Sequence, residues 1–396
     1  MANAAKRPHL PELDLVRAFG IIAVVMIHAT SSIVNNYDRA SSFYPIYVFL
    51  NVFSKFAVPV FIFLSGFVLF YNYIDKPFTA RAIGEFYKKR LMKTVIPFLL
   101  FSFLYWGLTR LANYGFTDIR TFIGYFANEN FLEKLLTGKT YTHLYFVVII
   151  LQFYILAPLL LYAVKRLPWL GKHIVWLGLL VQWAFIYKLA DVFELKNRGS
   201  YSFTYMLYFA AGAFIGIYYL KLADWIKISK QSATAGKITA WAVLWTLFLS
   251  ASLTEVYVYY RYYLEGRFVL SPKLLELVNE VHCVAAGIAL IQLSAWIYAA
   301  WNRTIVKALI HIGAVSFGIY LIHPIVLYVY REIDAGGNPL IYHLWAAGGF
   351  VLALCLPWLL VSLSARFRWH WILFGPLPAA KKAPAASAPK KPGMEA

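Results

Sequence analysis

Residues 13–32, LDLVRAFGIIAVVMIHATSS, form an apolar stretch that carries an arginine and a histidine, Arg17 and His28. A helix of about 20 apolar residues spans the hydrocarbon core of a bilayer, so the stretch predicts a membrane-spanning helix. Ionisable side chains in such a helix usually face the interior of a bundle or a water-filled cavity. Eleven residues make about three helical turns and rise about 16 Å, which places both side chains on one face at different depths.

The composition extends this interpretation from one helix to the entire chain. Of the 396 residues, 61% are hydrophobic and only 14% are charged, and the mean hydropathy is +0.63. Soluble proteins carry roughly 25% charged residues, so lipid is the expected solvent of this chain. The sequence therefore predicts an all-α polytopic membrane protein with about ten transmembrane helices. The candidate spans are 13–34, 44–73, 91–110, 142–163, 172–190, 202–222, 237–258, 279–299, 312–332 and 341–364.

Two parts of this pattern leave alternatives open. The span 44–73 is long and contains Pro59, which predicts either a kinked helix or a partly interfacial segment. The loop 111–141 between the third and fourth spans mixes aromatic and polar residues. It predicts either a helix that lies on the membrane surface or a lid over a cavity.

The distribution of charge predicts the orientation of the chain. If both termini are cytoplasmic, the inner segments hold 23 of the 37 Lys and Arg residues and 6 of the 18 Asp and Glu residues. The outer segments then hold 12 basic and 12 acidic residues. An excess of Lys and Arg is typical of cytoplasmic segments, so topology explains the net charge of +19. Because this charge is dispersed over short loops, we expect membrane lipid and no nucleic acid as a partner.

Three parts of the chain follow from these patterns. Residues 1–12 are a cytoplasmic N-terminal segment, and residues 13–364 are the transmembrane domain. Residues 365–396 are a basic cytoplasmic tail rich in proline and alanine, and the composition of residues 377–396 predicts disorder. We expect a multi-pass protein of the cell membrane.

The first helix carries the residues with the clearest chemical interpretation. Asp14 lies one turn before Arg17 on the same face and is its expected ionic partner. Taken singly, Arg17 is explained by snorkelling to the inner boundary, and His28 by a hydrogen bond in helix packing. Taken together, they suit a polar path in which the cation holds an anionic donor and the histidine moves a proton.

A basic run lies at the predicted cytoplasmic entrance of the third span. Topology explains most of this charge, although a phosphate-rich ligand would also bind there. The run consists of Lys88, Lys89, Arg90 and Lys93.

Further polar residues within the spans add weaker signals. Ser65 lies in an apolar helix, where close helix packing is the ordinary explanation for a small residue. His323 precedes Pro324, which predicts a local break in the helix and a packing or capping role for the histidine. No metal site is expected, because the histidines at helix ends lack the spacing of metal ligands. These are His143, His282 and His343.

Five stretches in chain order resemble the integral-membrane acyltransferase-3 family. ELDLVRAFGIIAVVMIHA (12–29) resembles the opening helix of that family, whose hallmark is an arginine, ten residues and a histidine. Arg17 and His28 match that spacing. The other four stretches are VPVFIFLSGFVLF (58–70), FYKKRLMKTVIPFLL (86–100), HLYFVVIILQFYILAPLL (143–160) and SFGIYLIHPIVL (316–327).

The resemblance implies ten membrane helices and an acyl-transfer reaction. In this reaction an acyl group, commonly acetyl, moves from cytoplasmic acyl-CoA to a cell-surface polysaccharide or lipid-linked sugar of a bacterial envelope. By this analogy His28 is the catalytic histidine and Arg17 is its partner near the donor. Arg90, Lys93 and Lys89 would bind acyl-CoA, although Lys93 replaces a second arginine of the family pattern and lacks its planar fork. Acyl-CoA is then a co-substrate, and no bound cofactor is expected.

Two questions stay open after this comparison. Asp14, Ser65 and His323 are candidates for supporting roles in the same site. His28 either takes the proton of the acceptor hydroxyl directly or is itself acylated and carries the group outward.

An alternative function is export of a polysaccharide or of a lipid-linked oligosaccharide through the same polar path. Transporters of this kind often contain inverted repeats with interrupted helices in both halves. The sequence shows no such internal symmetry, so we favour the acyltransferase.

Overall fold

The computed structural model describes residues 7–128, 130–228 and 233–375 of the chain. Within these residues the structure is helical and contains no β-strand. The α-helices in chain order are α1 (Glu12–Asn36), α2 (Tyr44–Phe53), α3 (Ala57–Tyr73), α4 (Ala80–Tyr114), α5 (Ile119–Asn128), α6 (Phe131–Leu136), α7 (Tyr145–Arg166), α8 (Pro168–Ala184), α9 (Ala190–Val192), α10 (Met206–Ile226), α11 (Ala235–Glu265), α12 (Pro272–Ala300), α13 (Arg303–Ala314), α14 (Ser316–Tyr330), α15 (Pro339–Ser364) and α16 (His370–Phe374).

The number of membrane-spanning segments agrees with the sequence. In the described part of the chain, nine segments are long and apolar enough to cross a bilayer. A tenth forms if α13 and α14 are counted as one span that is broken by a 77° bend. The predicted all-α polytopic class with about ten spans is therefore confirmed. The cytoplasmic location of both termini stays a prediction, and residues 1–6 and 376–396, with most of the predicted tail, lie outside the described residues.

The predicted span 312–332 differs in detail from the structure. It contains the sharp junction between α13 and α14, which lies at Val315. The break expected at Pro324 does not occur, because α14 continues through this proline. The interruption of this span therefore has a cause other than proline.

Gly313, at the end of α13, packs closely against α1 just before the bend. A Cβ atom at this position would overlap the backbone carbonyl oxygen of Asp14 in α1. Only glycine allows the two backbones to come this close, so α13 crosses α1 at this point. The junction with α14 is thereby held against the first turns of α1.

The long span 44–73 is a single membrane-crossing segment with a local irregularity. A 3₁₀ turn, Ser54–Phe56, joins α2 to α3. Pro59 lies in the first turn of α3, where the missing N–H group costs no helical hydrogen bond. The local irregularity therefore lies before the proline.

Small residues hold α3 and α10 together at the centre of the bundle. A Cβ atom on Gly212 of α10 would overlap the carbonyl oxygen of Phe63 in α3, and Gly216 makes the same kind of close approach one turn later, to Phe67. This small-xxx-small spacing is typical of helix pairs in membranes, where packing stabilises the pair in place of the hydrophobic effect.

Two segments outside the spans are also ordered against the bundle. In the loop 111–141, α5 lies beside α4, and the indole N–H of Trp106 donates to the carbonyl of Tyr125 at 3.0 Å. After α15, the ring of Phe374 in α16 lies 6.1 Å from that of Phe101 in α4. The beginning of the predicted tail is therefore packed on the transmembrane helices.

Candidate active site

A large cavity lies between α1, α3, α4, α7 and the junction of α13 with α14. Its volume is about 1360 Å³, including the part that opens to the surface. The part that a water-sized molecule can occupy measures about 360 Å³, which lies within the range of about 300–1,000 Å³ that is typical of small-molecule sites. It brings together most of the residues that the sequence singled out. Those that line it are Asp14, Arg17, Ser65, Lys89, Arg90 and Lys93.

Arg17 and Asp14 form the predicted ion pair at the cavity wall. Nη1 of Arg17 donates to Oδ1 of Asp14, whose side chain is almost buried. The arginine side chain remains 32% exposed. A guanidinium group has five N–H donors, so Arg17 is oriented by its partner and keeps donors for an anionic ligand.

The basic residues of the entrance lie on a helix. The sequence placed them at the cytoplasmic entrance of the third span, and α4, which begins at Ala80, includes all of them. Arg90 lies with its guanidinium carbon 5.6 Å from the ring centre of Tyr154, and Lys89 pairs weakly with Glu85 at 3.8 Å. Together with Lys93 they give this side of the cavity an excess of positive charge.

The first turn of α14 adds a further positive contribution. Ser316 and Phe317 line the cavity, so the N-terminal end of this helix lies at its wall. A helix N-terminus carries a partial positive charge and N–H groups without helical partners, which favour anions. The bend between α13 and α14 creates this helix end inside the bundle.

Ser65 lies in the cavity wall, but its side chain is hydrogen-bonded within its own helix, α3. Its hydroxyl donates to the carbonyl of Phe61 at 3.0 Å. The hydroxyl hydrogen is therefore not available to a ligand in this arrangement. Its supporting role stays a prediction.

Three histidines from separate segments meet beside the cavity. The ring centre of His28 in α1 lies 5.1 Å from that of His323 in α14 and 6.3 Å from that of His143. The rings of His143 and His323 are 5.7 Å apart. We call His28, His143 and His323 the histidine cluster. Among the described residues, no group of three or more His, Cys, Asp or Glu side chains is arranged to hold a metal ion.

His143 is the member of the cluster that the sequence did not predict as a site residue. Its ring is buried at 1% exposure, and neither ring nitrogen has a hydrogen-bond partner in the structure. Buried polar atoms without partners are rare, and they mark places where a water molecule or a ligand group binds. The signal in the sequence was the first position of the stretch 143–160, whose histidine lies just before α7.

His323 has one ring nitrogen fixed and one unpaired. Its Nδ1 lies 3.1 Å from the carbonyl oxygen of Ile319. A carbonyl only accepts hydrogen bonds, so Nδ1 carries the hydrogen and the neutral ring exposes a lone pair at Nε2. Nε2 has no partner in the structure. Nε2 of His323 is therefore able to accept a proton, while the residue also packs within the bundle.

Tyr320 connects the cavity to the histidine cluster. It lines the cavity, its hydroxyl donates to the backbone carbonyl of His143, and its ring centre lies 6.1 Å from that of His323. His28 itself is not part of the cavity wall. Tyr320 therefore contacts both the cavity and the histidine cluster.

Arg331 lies on the other side of His28. It follows the last turn of α14, and its Nη2 donates to the backbone carbonyl of His28 at 2.6 Å. The charge of Arg331 also acts on Tyr141. Burial raises the pKa of the Tyr141 hydroxyl, and the positive charge of Arg331 opposes that rise. No pattern in the sequence singled out Arg331.

A second group of buried polar side chains lies between α11 and α12, apart from the histidine cluster. Nδ1 of His282 and Oε2 of Glu255 are 2.7 Å apart, and both residues are at most 1% exposed. Asn279 donates to the other oxygen of Glu255 at 3.1 Å. On the same helix Glu280 accepts hydrogen bonds from Gln182 at 2.8 Å and from Trp183. These contacts tie three helices together inside the bundle.

Comparison with known proteins identifies the family. No curated protein and no solved structure has detectable similarity to the chain. The family model described as "Acyltransferase domain" matches residues 10–362, which include the cavity, the histidine cluster and Arg331. The chain, a multi-pass helical membrane protein, therefore belongs to the acyltransferase-3 family.

Proposed function

We propose that this protein transfers an acyl group, acetyl in the simplest case, from acyl-CoA to a sugar hydroxyl. The acceptor is a cell-surface polysaccharide or a lipid-linked sugar of a bacterial envelope, and the protein lies in the cell membrane. One observation supports this proposal above the others: a positively charged cavity adjoins a cluster of three histidines, two of which have unpaired buried nitrogens.

The arrangement suits a donor whose charged and reactive ends are far apart. CoA carries its phosphates at one end and its thioester at the other. Arg90 and Lys93 are positioned to bind the phosphates, and Arg17, held by Asp14, lies deeper on α1. His28 follows eleven residues later on the same helix, about 16 Å along its axis. The thioester would then reach the histidine cluster past Tyr320.

The reaction needs a base that takes a proton from the acceptor and later gives it to the leaving group. A neutral imidazole of the cluster, His28 in our proposal, takes the proton of the sugar hydroxyl while the oxygen attacks the thioester carbonyl. The carbon–sulfur bond then breaks, and the imidazolium returns the proton to the departing thiolate. In the alternative order the imidazole attacks first, releases the thiol and forms an acyl-histidine that the sugar hydroxyl later cleaves. In both routes the acyl group moves from the thiol to the sugar, and one proton moves from the sugar hydroxyl to the thiol.

Export of a glycan is the competing function, and one feature of the structure is shared with exporters. The bent pair α13 and α14 is an interrupted helix beside a cavity. Transporters with inverted repeats have such interruptions in both halves, whereas the described residues contain one bent pair. The geometry therefore supports the transferase better.

The decisive test replaces His28 with alanine. Since general-base assistance is typically worth about 10²–10⁴ in rate, we expect His28→Ala to lose acyl transfer by at least that factor. Purified protein is assayed for CoA thiol release from acetyl-CoA, and surface glycans of expressing cells are analysed by mass spectrometry. His173→Ala, which removes an exposed histidine on α8, is the matched control. Normal acylation by well-expressed His28→Ala protein would refute the proposal, and an exported glycan retained inside with unchanged acylation would favour the exporter.

A further inference from the structure

One end of the histidine cluster lies away from the cavity. Helical carbonyl groups point toward the C-terminal end of their helix. The carbonyl of His28 therefore points away from Arg17, and Arg331, which donates to it, lies beyond His28 on that side. The site thus has a cation at each end of the same stretch of α1.

Helix α14 supports this placement independently. Near its beginning, the α13–α14 junction packs at Asp14 through Gly313, next to the cavity. At its end, Arg331 reaches His28. The two helices therefore run in the same direction past the cluster, with the cavity at their N-terminal ends and Arg331 at their C-terminal ends.

Arg331 is available to a ligand. Its side chain is exposed, and among the described residues it forms no ion pair with a carboxylate. The neighbouring Asp334 accepts a hydrogen bond from the backbone N–H of Gly336 at 3.0 Å. A guanidinium group has five donors, and the bond to His28 uses one of them. The bond also fixes its position, so little conformational freedom is lost when an anion binds.

We propose that Arg331 binds an anionic group of the acceptor sugar and so selects acceptors that carry a carboxylate or a phosphate. This inference rests on the proposed acyl transfer. A planar guanidinium group binds both kinds of anion through two parallel hydrogen bonds. The acceptor then approaches the histidine cluster from the end opposite the acyl-CoA cavity. Arg331 is the residue that determines acceptor specificity, and the histidines perform the chemistry.

The experiment measures binding of simple sugars to purified full-length protein without acyl-CoA. Isothermal titration calorimetry compares D-glucuronate, glucose 1-phosphate and neutral glucose. Hydrogen bonds to charged groups contribute about 1.5–3 kcal/mol, so we expect at least one anionic sugar to bind about 10- to 100-fold more tightly than glucose. The stronger of the two anions indicates whether the natural group is a carboxylate or a phosphate. Arg331→Gln removes this preference, and Arg331→Lys retains part of it because the charge remains without the planar fork.

Two control variants identify where the anion binds. Arg267→Gln removes another exposed arginine outside the site and leaves the preference unchanged. Arg90→Ala removes a cation of the cavity and also leaves it unchanged. The proposal is overturned if glucose and both anionic sugars bind alike or not at all. It is also overturned if Arg331→Gln keeps the preference or Arg90→Ala abolishes it.

These outcomes are separate from a failure of the proposed function. The binding measurement uses no acyl-CoA, whereas the function is tested by thiol release and by the loss in His28→Ala. A protein that transfers acyl groups but binds neutral and anionic sugars equally refutes the role of Arg331 alone. Elution volume and thermal unfolding of each variant are compared with the wild type, so that a misfolded variant is not counted.

Discussion

Arg17 and His28 are visible in the sequence because one helix carries both, and helical geometry then places them on one face. The ion pair of Arg17 with Asp14 was predictable for the same reason, and the structure confirms it. His143 was not predictable as a neighbour of His28, because its place depends on how the turn before α7 packs against α1 and α14. Spacing along the chain carries no information about such contacts.

His143 offers a test that separates a functional role from a structural one. His143→Phe keeps much of the volume of the buried ring and removes two nitrogens that have no partner. Unpaired buried polar atoms cost about 1–3 kcal/mol, so the free energy of unfolding stays the same or rises. Acyl transfer falls at least about tenfold, because the site loses a hydrogen-bonding group worth about 1.5–3 kcal/mol to a charged partner.

The measurements for His143→Phe are thermal unfolding in detergent and thiol release from acetyl-CoA. His173→Phe, at an exposed position on α8, is the control for the substitution itself. Full activity in a stable His143→Phe protein would show that this histidine only fills space.

The pairing of helices was predicted less well than their existence. Apolar segments of about 20 residues identify spans, but the sequence does not state which spans touch or through which residues. The contact between α11 and α12 rests on Glu255 and His282, which are distant in sequence and buried together. The break between α13 and α14 lies beside the long-range contact of Gly313 with α1, which the sequence does not reveal, and the sequence pointed to Pro324 instead.

Removing either partner of the Glu255–His282 pair is expected to destabilise the bundle. Glu255→Ala and His282→Ala each remove a hydrogen-bond partner from a buried polar group, which costs about 1–3 kcal/mol. The double variant is expected to lose less than the sum of the two, because it leaves neither group unpaired. Thermal and denaturant unfolding of the purified variants measure this coupling.

A control pair for this experiment lies on α11, the helix that carries Glu255. Arg261 and Glu265 form an exposed pair in α11, and pairs of this kind contribute about 0–1 kcal/mol. Arg261→Ala, Glu265→Ala and their double variant should therefore change stability little and additively. Additive losses for Glu255→Ala and His282→Ala as well would contradict a direct interaction between the two buried groups.

The count of spans and the class of fold follow from composition, because a chain that is 61% hydrophobic has to place its helices in lipid. The direction of insertion is a separate matter, since it depends on the positive charge of short loops during membrane insertion and leaves no mark on helix geometry. The location of the cavity on the cytoplasmic side depends on that direction. It stays a prediction.

Single cysteines in two exposed positions determine the direction. Asp224→Cys at the end of α10 lies on the predicted cytoplasmic side, and Asp334→Cys after α14 lies on the predicted outer side. A membrane-impermeant maleimide added to intact cells should label only the cysteine at position 334. Permeabilised cells should show labelling at both positions. The reverse result in intact cells would invert the protein and place Arg331 in the cytoplasm.

Tyr320 has a consequence for the membrane as an electrical barrier. An enzyme with a water-filled path that is open to both sides at once would dissipate the proton gradient that its host membrane maintains. The hydroxyl of Tyr320 donates a hydrogen bond to the carbonyl of His143, and the rings of Tyr105 and Tyr141, which both lie against the His143 ring, stack on each other with centres 4.3 Å apart. We expect these packed aromatic rings to interrupt a continuous file of water across the bundle. In the proposed function, insulation of the membrane and acyl transfer then depend on neighbouring side chains.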